Sequence, residues 1–186
     1  MKPLTDTTGM TETDTRQIMI MGIGNVLFTD EGFGIHVIKK IEDTITVADN
    51  VRVVDGGVLG VHLLGVMSEA DHLIVIDIIR NQGAPGSLYR IDHDGIPDRI
   101  RAKNSVHQID FLEALTLMQA LDKVPETVIL GVEPKDMETL GVDMTPEIAA
   151  QVDPIIDHVL AELDRLGATY TKGNHVYVPR HPFQNC

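Results

Sequence analysis

Along almost the whole chain, short apolar runs cut off by Asp or Gly alternate with stretches of helical spacing, and no other feature narrows the possible folds as much. Ile18-Met19-Ile20-Met21-Gly22-Ile23 is nearly continuous in apolar character, the pattern of a strand covered on both faces. Similar runs recur at Val51-Arg52-Val53-Val54, Leu73-Ile74-Val75-Ile76 and Val128-Ile129-Leu130, with a weaker one from Leu88 to Ile91. Helical spacing occupies Gly34 to Asp43, Gly60 to Ala70, Gln108 to Leu121, and Thr145 to Leu166 with Pro154 inside. Strand and helix in alternation predict a three-layer α/β/α domain on a mostly parallel central sheet of about five strands.

A chain of 186 residues suits one such domain. We expect a loose tail over residues 1–17, the folded domain over 18–166 and a second tail over 167–186, in which only His175 to Val178 reads as a short edge strand. The Gly/Pro-rich stretches Asn81 to Gly86 and Asp92 to Asp98 read as loops. A net charge of −13 argues against nucleic acid as partner, since phosphate binding draws on clustered Lys and Arg. The longest apolar runs are far shorter than the ~20 residues that cross a bilayer. Cys186 is the only cysteine, which rules out an intrachain disulfide and a Cys-rich metal site and suits a reducing compartment, so we expect a cytoplasmic protein without membrane insertion.

In an open α/β sheet, ligands bind where the loops leave the carboxyl ends of the strands. The first such loop, Gly22 to Gly34, delivers Asp30 and Glu31 just before a helix. The second is Asp55-Gly56-Gly57, a turn through which backbone can approach the crevice. The third strand runs directly into Asp77. A long excursion then brings His107, where Ser105 and Gln108 form a capping-box pattern that sets the imidazole in the first turn of a helix. The partial positive charge there keeps the ring neutral and able to ligate a metal, while the same effect near Glu31 favours its ionised form. Two carboxylates and one imidazole leave coordination positions open, but this donor set does not choose among Zn, Ni, Mn and Fe. Taken singly, each residue has a plain structural reading: Glu31 and Asp30 as helix-start acids, with Asp30 the better cap, Asp77 as a turn acceptor, His107 as a solvated first-turn residue.

The ordered series G-x-G-N-x-L-x-x-D-E-G-x-G (Gly22 to Gly34), D-G-G (Asp55 to Gly57), an apolar strand ending in Asp77, and S-x-H-Q (Ser105 to Gln108) resembles the hydrogenase maturation protease family. The likeness runs from about Ile18 to Leu166. It implies an endopeptidase, grouped with the aspartic type, that removes the carboxyl-terminal extension of a nickel-containing hydrogenase large-subunit precursor after nickel insertion. It also implies that Glu31, Asp77 and His107 hold the nickel-binding positions, and that the nickel arrives in the precursor, so the isolated protein need hold no metal. Cleavage would fall just beyond the last metal-binding cysteine motif of the precursor, after a His or Arg. Glu31 and Asp77 are both candidates for the catalytic base, and Asp55, Gly56 and Gly57 form a secondary substrate-binding position.

Other classes fare worse. A dinucleotide fingerprint would need Gly where Leu27 stands, and Asp30 and Glu31 would repel pyrophosphate. Ser68, Ser87 and Ser105 lie in no G-x-S-x-G elbow, and no H-E-x-x-H motif occurs. His175, His181 and Cys186 are too loosely spaced for a metal-binding tail. A non-proteolytic nickel-binding chaperone for hydrogenase assembly would use the same three ligands and is the remaining alternative.

Overall fold

The computed structural model describes residues 16–58, 63–92, 118 and 124–173. The described elements are β1 (Ile18–Ile23), a 3-10 turn (Thr29–Gly32), α1 (Phe33–Thr44), β2 (Ile45–Val47), β3 (Val51–Gly57), α2 (Leu64–Met67) and β4 (His72–Ile78). There follow β5 (Leu88–Ile91), β6 (Glu126–Val132), α3 (Pro146–Ala149), α4 (Val152–Arg165) and β7 (Tyr170–Lys172). Five strands form the main sheet in the order β3-β1-β4-β6-β5, all parallel except β5, which runs antiparallel to β6. A mostly parallel five-stranded sheet flanked by helices is the expected architecture.

The apolar runs are continuous because the strands are buried on both sides. Alternate residues point to opposite faces. Ile18, Ile20, Ile74, Ile76, Val128 and Leu130 pack with Phe33, Val37 and Ile38 of α1 and with Ile155, Val159 and Leu163 of α4 on one face. The other face receives Met19, Met21, Leu73, Val75 and Ile129, which pack with Leu63, Met67 and Met118.

Glycine lets α1 approach the sheet closely. A Cβ on Gly34, in the first turn of α1, would strike the carbonyls of Ile23 and Ile76, and one on Gly22 would strike Gly34 itself. The helix therefore rests directly on the backbone at the ends of β1 and β4.

Three elements differ in detail from the expected pattern. The stretch Thr145 to Leu166 is broken into α3 and α4 at Ala150 and Gln151. Pro154 cannot donate to the carbonyl of Ala150 and its ring crowds that position, so α4 begins afresh just before it. The helix expected over Gly60 to Ala70 is described only as Leu64–Met67, its end tightened by Ser68 Oγ donating to the carbonyl of Gly65 (2.8 Å). Beyond Leu166 the chain makes β7, which pairs antiparallel with β2 in a separate two-stranded ribbon. The edge strand read at His175 to Val178, the helix at Gln108 to Leu121 apart from Met118, the loop beyond Asp92, and His107 lie outside the described residues. Among the described residues, no helix is long and apolar enough to cross a membrane.

Candidate active site

The chain leaves β1 through α1 toward β3 on one side, and leaves β4 toward β5 and β6 on the other. A crevice therefore opens between the carboxyl ends of β1 and β4, the switch point at which open α/β sheets bind ligands. Glu31 enters from the β1 side on the 3-10 turn, which contacts β4. Asp77 enters from the other side, in register with Gly131 of β6, and the strand continues one residue past it to Ile78 rather than ending there. The residue is 8% exposed, and its carboxylate accepts the Ile78 amide at 2.7 Å. Two carboxylates from distant parts of the sequence thus reach one edge of the sheet.

The third expected ligand, His107, lies outside the described residues, and among these no group of three or more His, Cys, Asp and Glu side chains is gathered for a metal ion.

The backbone under Glu31 is closely held. Its carbonyl accepts the Asn25 amide at 3.0 Å, and a Cβ on Gly24, whose φ is +145°, would collide with that same carbonyl. The Gly24 amide in turn donates to the carbonyl of Gly57 at 3.0 Å. Asp55 accepts the Gly57 amide at 3.0 Å, and Gly57 takes a φ of +50°, so Asp55-Gly56-Gly57 closes the end of β3 as a tight turn beside the β1 loop. Partial loss of water around its carboxyl, with the charges of Asp55 and Asp43 beside it, raises the largely exposed Glu42 above its usual range.

Two buried carboxylates to which sequence reasoning gave no such part organise this edge: Asp30, read as a helix cap, and Glu133. Asp30 is fully buried and caps no helix; it accepts hydrogen bonds from the loop that follows β6. Glu133, just beyond β6, accepts the Tyr89 hydroxyl and the Asn81 amide, each at 2.8 Å, and so fixes the loop after β4. Burial works against its ionisation, but the bonds from Tyr89 and from the Asn81, Gly83 and Gln82 amides outweigh that and hold its carboxyl below the usual range. The same bond raises the Tyr89 hydroxyl.

A carboxylate with a depressed pKa stabilises the fold above its ordinary value, here 4.5, and that contribution is lost as pH falls through the depressed value. Glu133→Gln should therefore be less stable than the parent near neutral pH, with the gap closing on acidification below 4.5. Urea unfolding midpoints of both proteins across that range check it; a gap that stays constant with pH refutes it.

A family model described as hydrogenase maturation protease matches residues 35–162. The chain belongs to the hydrogenase maturation protease family. It is 35% identical to the hydrogenase expression/formation protein HupD of Bradyrhizobium diazoefficiens over 87% of this chain and 85% of that protein. To the hydrogenase 2 maturation protease of Escherichia coli it is 33% identical, over 81% of this chain and 93% of the relative. The solved structure of the hydrogenase maturating endopeptidase HybD from Escherichia coli superposes with a TM-score of 0.80 at 31% identity, covering 84% of this chain and 97% of that one. The protein is thus a peptidase of the hydrogenase maturation class, and the chaperone alternative falls away. The protease shares its fold with that solved structure, and in this chain the carboxyl edge of the sheet carries Glu31 and Asp77.

Proposed function

We propose that this protease removes the carboxyl-terminal extension of a nickel-containing hydrogenase large-subunit precursor once nickel has been inserted, and that it reads the metal through Glu31, Asp77 and His107. The observation that carries the reading is the placement of Glu31 and Asp77 on opposite flanks of the β1/β4 crevice. Oxygen donors there, completed by the His107 imidazole, would take up positions that the precursor leaves open on its nickel. Gripping the metal holds the scissile peptide still, and such positioning lowers a barrier by several kcal/mol, to a limit of about 7–11 kcal/mol.

The nickel belongs to the substrate. Within the crevice, attack on the scissile carbonyl requires a water activated by that ion or by one of the two carboxylates, so Glu31 and Asp77 are the catalytic candidates in what would be an aspartic-type site. The turn at Asp55, Gly56 and Gly57 lies beside the β1 loop and is suited to flank the bound peptide with backbone. The single cysteine fits action in the cytoplasm, where the precursor would be met.

Mixing the protease with nickel-loaded and metal-free precursor and following precursor mass tests this directly. Loss of the carboxyl-terminal segment from the loaded form alone is expected. Equal cleavage of both forms would remove nickel from the recognition step, and cleavage of neither would remove the precursor as substrate.

A further inference from the structure

Asp30 has no part in the expected ligand set, yet it is among the most completely enclosed charged side chains described, at 0% exposure. One carboxylate oxygen accepts the Lys135 amide at 2.9 Å, the Asp136 amide at 2.7 Å and the Thr145 hydroxyl at 3.1 Å; the other accepts the Thr145 amide at 2.8 Å. The backbone reciprocates, since the Asp30 amide donates to the Asp136 carbonyl at 3.1 Å, and the Thr29 hydroxyl donates to the same oxygen at 2.6 Å. Further along, Phe28 bridges to Leu140, and the Gly141 amide donates to the Leu27 carbonyl at 3.0 Å.

All of these bonds join one segment, residues 27–30, to the loop between β6 and α3. Burying an ionised carboxylate is costly in desolvation, and an apolar side chain would glue a surface loop to the domain more cheaply. What apolar packing does not supply is direction. Four charge-assisted acceptor bonds from fixed donors set the orientation of the peptide that carries the next residue, Glu31. With the Asn25 amide holding the Glu31 carbonyl from the other side, that residue's backbone is constrained at both ends.

We propose that Asp30 is the positioning residue for Glu31: its four bonds to Lys135, Asp136 and Thr145 lock the 3-10 turn so that the Glu31 carboxylate is held toward the crevice before the client arrives. This rests on Glu31 gripping the client's nickel. Preorganised ligands depend on such supporting bonds, and slackening them weakens metal recognition without removing any ligand. Asp30→Asn keeps the size of the side chain but sets an amide group against at least one of the N–H donors, so the turn loses its fixed orientation while the sheet and α1 remain.

The test measures the affinity of the full-length protease for nickel-loaded and for metal-free precursor, using a precursor altered at its cleavage site so that it is not cut. The parent protease prefers the loaded form. In Asp30→Asn that preference falls at least tenfold while binding of metal-free precursor is unchanged. Leu163→Ala, a cavity at the end of α4 near the opposite edge of the sheet, serves as the comparably destabilised control and keeps the full preference. Should Asp30→Asn not fold, Thr145→Ala, which deletes only the hydroxyl bond, gives about a threefold fall in the same ratio. An unchanged preference in folded Asp30→Asn, or in Thr145→Ala where the former does not fold, overturns the positioning role, as does an equal loss in Leu163→Ala. A parent protease with no preference for the loaded form instead overturns the nickel reading of Glu31 itself.

Discussion

Glu31→Gln is expected to abolish processing of the nickel-loaded precursor while leaving the fold intact. The substitution preserves shape and removes one negative charge from a partly exposed side chain on a turn, so the core has no reason to respond. At the crevice the effect is large, because a neutral amide is a poor donor to a divalent cation and cannot accept a proton from water. A loss on the order of 10³-fold or more in kcat/KM corresponds to about 4 kcal/mol of transition-state stabilisation. Far-UV circular dichroism and thermal unfolding confirm folding, and mass spectrometry of the precursor reads cleavage. Processing at the parent rate by folded Glu31→Gln would dispose of the role assigned to this carboxylate, both as nickel ligand and as base.

Gly34→Val is expected to cost the most stability of any single change on the α1 face. The added Cβ meets two backbone carbonyls, those of Ile23 and Ile76, which cannot rotate away as a side-chain end would. Either α1 lifts from the sheet, giving up contacts of Phe33, Val37 and Ile38, or β1 and β4 part. Overpacking of this kind costs about 3 kcal/mol or more, a large fraction of a total stability of roughly 5–15 kcal/mol. A drop in melting temperature of about 10 °C, or failure to accumulate as folded protein, follows. Gly65→Ala is the control: nothing lies within 4 Å of the added atom, and a helical position gains slightly from Ala. Equal melting temperatures for Gly34→Val and the parent would show that the helix does not sit where the carbonyls put it.

The strands were legible because burial on both faces removes polar residues from them, leaving runs such as Ile18–Ile23 that admit few other readings. Even the weak run at Leu88–Ile91 is a strand, held as the antiparallel edge of the sheet. The β2/β7 ribbon was not legible, since each strand has three residues and neither shows a period before its partner is known. At the site, the order of the motifs marks Glu31 and Asp77, but it says nothing of what holds them. Asp30 reads locally as a helix cap; its actual partners lie more than a hundred residues further along, and no spacing rule reaches that far. Glu133 was missed for the same reason, its donors coming from the loop after a strand formed some fifty residues earlier.

The two carboxylates differ in the freedom they have to meet a client. Asp77 sits on β4, with β1 and β6 bonded on either side, and cannot shift unless the centre of the molecule shifts with it. Glu31 rides on four residues of 3-10 turn fastened to a surface loop. Under the proposed grip, any allowance for precursors of slightly different shape would require that turn and the loop fastened to it to shift as one unit, against a strand that stays still.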